Sequence, residues 1–156
     1  MKEYQVNETV LRAAAIRSIA LGKLKHSFTN GDRNLIGFIG EELYISIAKR
    51  ASRMDNYDFD FILTNGATVD VKSRIVSGKP RQDYDFILKR ANKNQKVDFY
   101  VFFCIKNTLD KAWLVGWATQ KTINNLPEYS EGDELPQGGK CRAGGHRVLI
   151  KEMESA

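Results

Sequence analysis

Residues 57–72 read Tyr57-Asp58-Phe59-Asp60-Phe61-Ile62-Leu63-Thr64-Asn65-Gly66-Ala67-Thr68-Val69-Asp70-Val71-Lys72. Two alternating runs flank Asn65-Gly66, a dipeptide suited to the positive φ of a tight turn. The spacing predicts a β-hairpin with strands over 57–63 and 68–74. In the first strand Tyr57, Phe59, Phe61 and Leu63 should point one way, and Asp58 and Asp60 the other. In the second, Val69 and Val71 oppose Asp70 and Lys72. Strands are depleted in aspartate, so acids alternating with core aromatics call for a reason.

Register decides whether the acids meet. A two-residue Asn-Gly loop would set Asp60 opposite Val71, which points to the wrong face. A three-residue loop, Asn65-Gly66-Ala67, or a bulge would set Asp60 opposite Lys72 and on the face of Asp70. The three-residue loop is therefore expected. The same register would pair Asp58 with Arg74.

Outward from the hairpin, residues 6–25 read as a first helix, broken by Thr29-Asn30-Gly31. Asp32 can cap a second helix running to about Ser52. That helix is apolar nearly all round and should be largely buried. Downstream, 75–96 is polar and basic, a loop with a short helix around 83–92. Residues 97–105 are apolar on both faces, as in a central strand. Trp113 to Ala118 form another strand, with both tryptophans on one face as core. Thr119 can cap a short helix ending before Pro127. Residues 127–145 make a long glycine-rich loop, and His146 to Glu152 a closing strand. The order predicts an α/β fold with one mixed central sheet. The chain then divides into an N-terminal helix (1–26), a core (32–118), and a basic glycine-rich loop with a closing strand (127–156).

The chain has 156 residues, 42% hydrophobic and 28% charged, which fits one domain with a sizeable core. No apolar run is long enough to span a bilayer, and the N-terminus lacks a secretory h-region, so no membrane association is expected. Cys104 lies in an apolar run and Cys141 in a basic loop, which argues against a disulfide and for a reducing, cytoplasmic setting. Net charge is +5, unevenly spread. Residues 27–71 hold seven acids against four Lys/Arg, and residues 72–96 hold eight Lys/Arg against two acids. An acidic focus beside a basic stretch suits a polyanion held over cations. A solvated lysine-rich face is the competing reading of that stretch.

Phosphodiester hydrolysis near neutral pH needs a cation to neutralise phosphate and acidify water, and hard oxygen ligands bind Mg²⁺ or Mn²⁺. Asp60 and Asp70, on adjacent strands, can supply such ligands. Lys72 can orient the attacking water or stabilise developing charge; the competing reading is a cross-strand ion pair to Asp60. Arg74, Lys79, Arg81, Lys89 and Arg90, with Lys140, Arg142 and Arg147 from the glycine-rich loop, are candidate phosphate contacts. Cys141 and His146 lack zinc-site spacing.

These residues resemble the PD-(D/E)XK nuclease superfamily, which includes restriction enzymes, Holliday-junction resolvases and small homing endonucleases. The matching positions are Gly40-Glu41 on a helix, then Asp60, the Asn65-Gly66 turn and Asp70-Val71-Lys72. Phe59 stands where the name-giving proline would be. The resemblance implies a restriction-endonuclease-like core. It makes Asp60, Asp70 and the Val71 carbonyl metal ligands, Lys72 the catalytic lysine, and Glu41 a helix-borne acid. Helical neighbours make Glu41 more enclosed than Glu42, which reads as a surface residue. The expected activity is that of a Mg²⁺-dependent DNA endonuclease, working on double-stranded or branched DNA as a homodimer or higher oligomer; a viral or mobile-element origin fits the size. The alternative is a non-catalytic nucleic-acid-binding module that keeps the fold.

Overall fold

A computed structural model describes residues 1–21, 32–54, 58–89, 96–136, 138–141 and 144–155. Its elements are β1 (Lys2–Gln5), α1 (Glu8–Leu21), α2 (Asp32–Ile47), β2 (Ala51–Arg53), β3 (Phe61–Leu63), β4 (Thr68–Val76), β5 (Asp85–Lys89), β6 (Phe99–Lys106), β7 (Lys111–Thr119), α3 (Gln120–Asn124), β8 (Glu128–Tyr129) and β9 (Gly145–Leu149). The α/β class expected from the sequence is borne out. A six-stranded sheet runs β1-β7-β6-β4-β3-β2, and only the central pair β4–β6 is parallel. β5, β9 and β8 form a separate three-stranded antiparallel sheet, where one mixed sheet was expected.

Alternation along β4 and β6 creates two cores. Val69, Val71, Val101, Phe103 and Ile105 face the helices and pack with Ile39, Leu43, Val10 and Ala14. Tyr100, Phe102, Cys104 and Val76 face the small sheet and pack with Phe86, Leu88 and Val148. A strand buried on both faces must be apolar throughout, which is why 97–105 is legible as central. Helix α2 comes so close to β4 that a Cβ on Gly40 would stand 1.9 Å from Ser73 Oγ. A larger residue there would have to displace the Ser73 side chain, so glycine suits the approach that sets the helix carrying Glu41 against the strand carrying Asp70.

Several elements differ from the sequence reading. β1 precedes the first helix, and it pairs with β7. The second helix stops at Ile47, and Ala51–Arg53 pair with β3 as an edge strand. The helix expected at 83–92 is strand β5, in which Phe86 and Leu88 are both buried, a period of two rather than 3.6. A bulge in β7, where the register shifts between Phe102 and Phe103, turns Trp113 and Trp117 to opposite cores. Both still pack as core, as expected. The glycine-rich stretch contains β8 and buries Cys141. Thr119 does cap α3: its Oγ1 accepts the Thr122 N–H at 3.0 Å. Neither cysteine is in a disulfide. Tyr57, the break at Thr29-Asn30-Gly31, residues 22–25, Arg90 and Arg142 lie outside the described residues, as do the side chains of Asp32 and Lys89.

Candidate active site

The hairpin turns over three residues, Thr64-Asn65-Gly66, one position earlier than expected. Leu63 N–H donates to the Ala67 carbonyl at 2.8 Å, Asn65 Oδ1 accepts the Ala67 N–H at 3.1 Å, and Gly66 takes φ +84°. The strands pair Phe61 with Val69 and Ile62 with Thr68. The expected register, with Asp60 opposite Lys72, would pair Phe61 with Val71 and is therefore two residues away from the one observed; the paired ladder ends at Phe61 and Val69. The aromatic alternation ends there: Phe61 packs toward the helices and Phe59 toward the small sheet.

At Asp60 the ladder gives way to a side chain. Its N–H still donates to the Val69 carbonyl at 3.0 Å, while its Oδ2 accepts the Val71 N–H at 2.7 Å. Burial, then the charge of Asp70, then that of Glu41 push the Asp60 carboxyl up to about 7; the Val71 N–H and Lys72 oppose this. Asp70 is also raised, by burial, against the pull of Lys72 and of a hydrogen bond with Asp60. Burial thus raises both carboxyl groups. Lys72 Nζ lies 2.5 Å from Asp70 Oδ2, an ion pair along one strand rather than across to Asp60. That ammonium lowers the Asp70 carboxyl by its charge and by a hydrogen bond.

Glu41 is turned toward cations. Its Oε2 accepts from Arg17 at 2.6 Å and from Arg53 at 3.2 Å. Glu42 shares both arginines, at 3.3 and 2.8 Å, and is as enclosed as Glu41, with side-chain exposures of 14% and 12%. The surface role expected of Glu42 is thus corrected: both acids face the gap between α1 and β2, where the two arginines stand. Burial raises the Glu41 carboxyl, and the Arg17 hydrogen bond and charge oppose the rise. Among the described residues no three His, Cys, Asp or Glu side chains converge. Asp60 and Asp70 meet each other, and Glu41 reaches them through its field.

The basic candidates divide. Arg74 donates to the Asp85 carbonyl and, at 3.1 Å, to its carboxylate, a partner the sequence reading did not name. Arg147 is buried and donates to the other Asp85 oxygen at 2.7 Å, a structural role in place of the expected surface one. Arg81 is exposed beside Asp83, and Lys79 and Lys140 are exposed.

Two neighbours escaped the sequence reading. Tyr100 is in register with Asp70, and its hydroxyl donates to Gln120 Oε1 at 2.9 Å. Burial, then the Asp70 charge, push the phenol up to about 12. A tyrosine inside a central strand needs a polar partner, and that was the available signal. No family model matches this chain, and no curated protein matches it.

Proposed function

We propose that this protein is a divalent-cation-dependent nuclease with a restriction-endonuclease-like core, hydrolysing phosphodiester bonds of DNA. One observation carries the reading. Two buried carboxyl groups, Asp60 and Asp70, meet at a hydrogen bond, and an ammonium stands 2.5 Å from one of them. Packing like charges together out of water is unfavourable unless a cation joins them.

Asp60, Asp70 and the Val71 carbonyl would hold Mg²⁺ or Mn²⁺. When bound, the cation neutralises phosphate charge and acidifies water. The Val71 N–H fixes the Asp60 carboxylate in place. Lys72 is partly exposed on the same face, where its ammonium can hold the attacking water or a phosphate oxygen. Glu41, anchored by two arginines, adds negative potential that favours cation binding. Exposed Lys79, Arg81 and Lys140 supply positive potential for a double-stranded or branched substrate. One site cuts one strand, so two-strand cleavage calls for a homodimer.

The test is cleavage of supercoiled, linear and four-way-junction DNA with Mg²⁺ or Mn²⁺. Wild type should cut only with metal, and Asp70→Ala and Lys72→Ala should each lose about 100-fold or more. Metal-dependent cutting that survives both substitutions overturns the mechanism. Binding of DNA without cutting under every condition points to a non-catalytic module instead.

A further inference from the structure

Along one face of β4, side-chain exposure rises from 7% at Asp70 to 28% at Lys72 and 37% at Arg74. The face opens outward from the carboxylate pair and closes again at buried Val76. Arg74 is the last charged group on it, and it is held from several sides. One terminal nitrogen donates to both the carbonyl and the carboxylate of Asp85. The guanidinium lies 5.5 Å from the Tyr84 ring centre and 5.8 Å from that of Phe86. Asp85 is itself fixed by buried Arg147 at 2.7 Å. Arg81 lies over the same Tyr84 ring at 5.0 Å, and its own ion pair with Asp83 is exposed.

Two arginines on one carboxylate leave a net positive charge at this point. A guanidinium has five N–H donors in a planar fork, and Asp85 engages only one of Arg74's nitrogens. Its orientation is set before any ligand arrives, which lowers the entropy lost on binding. Two residues of strand separate Lys72 from Arg74, about 6.6 Å. Because the backbone winds around the axis as it rises, successive phosphates of one strand are about 6–7 Å apart. That step therefore spans about one nucleotide.

We propose that Arg74, fixed by Asp85 and Tyr84, is the clamp for the backbone phosphate next to the one at Lys72, with Arg81 extending the track outward. The clamp rests on the nuclease reading, and it names where the substrate strand leaves the site. It makes Arg74 a binding residue whose fork geometry matters as well as its charge.

The experiment measures binding of a fluorescent DNA duplex in EDTA, at several salt concentrations, apart from any cleavage. Arg74→Gln should weaken binding about tenfold and lower the salt slope by about one. Arg74→Lys should keep the slope and still lose affinity, because an ammonium cannot reproduce the fork. Arg81→Gln should lower the slope with a smaller loss. Circular dichroism melts check folding, and Tyr84→Leu, which removes the ring but no charge, should weaken binding at unchanged slope. Wild-type affinity and slope in Arg74→Gln overturn the clamp while metal-dependent cutting leaves the nuclease reading standing. No duplex binding by folded wild type overturns the clamp, and metal-dependent cutting then decides the nuclease reading separately.

Discussion

The Asp60 carboxylate accepts the Val71 N–H at 2.7 Å, in the position where a strand partner would otherwise stand. A side chain has taken over a rung of the sheet, and in doing so it is held beside Asp70. Asp60→Asn retains an acceptor there and removes the charge. It should raise the stability of the metal-free protein at pH 8 by about 1–2 kcal/mol while abolishing cleavage. Asp60→Ala leaves the Val71 N–H without its acceptor and should cost about 1–3 kcal/mol. Urea unfolding of the two variants separates these effects, and equal stability of both would contradict them.

The same carboxyl makes stability depend on pH. Its folded-state value of about 7 lies above its ordinary 3.8. Asp60 thus contributes stability below about pH 4, and the contribution is lost as pH rises through 7. Metal-free wild type should lose more of its melting temperature than Asp60→Asn between pH 5 and 8. Mg²⁺ or Mn²⁺ should restore it at pH 8 and act less at pH 5, where protons compete with the cation. Parallel pH profiles for the two proteins in calorimetry would refute the assignment.

Gly40→Ala should destabilise the protein by about 1–3 kcal/mol, although alanine is the better helix former. The new Cβ would meet Ser73 Oγ at 1.9 Å and Ser73 Cβ at 3.2 Å. Ser73→Ala alone should be neutral or stabilising, because that buried hydroxyl has no partner. The double variant should recover most of the loss. Denaturant titration of the four proteins gives the coupling, and simple additivity would argue against this contact.

Asp85→Ala should be among the most damaging polar substitutions, costing about 3 kcal/mol, since it strands Arg147, which is buried. Asp83→Ala removes an exposed partner of Arg81 and should change stability by less than about 0.5 kcal/mol. Thermal melts of the two compare a buried with an exposed ion pair in adjacent loop and strand.

Cys104 should be inert in the folded state. It is fully buried, and burial pushes its thiol up to about 12. Alkylation by iodoacetamide should follow global unfolding, reported by a rate that falls with added stabilising ligand. Rapid labelling of Cys104 in the native protein would show the two-sided core to be less closed than its packing indicates.

The hairpin, the central strand at 97–105, the capped helix at Thr119 and the alternation of Asp70 and Lys72 with Val69 and Val71 were all legible in the sequence. Each rests on local chemistry: a turn residue, a period of two, a capping hydroxyl. Tertiary structure decided what local patterns cannot encode. β5 reads as polar and basic, and becomes a strand because β9 offers it a partner from about 60 residues away. The Trp113 and Trp117 faces diverge through a bulge that depends on β6. Arg147 and Arg74 read as free cations until Asp85 is placed between them. Glu42 reads as surface until Arg17 and Arg53 close over it. The sequence alone determined the hairpin that brings Asp60 and Asp70 onto neighbouring strands. How they are charged was decided by burial and by partners distant in the chain, because desolvation and ion pairing are properties of the assembled fold.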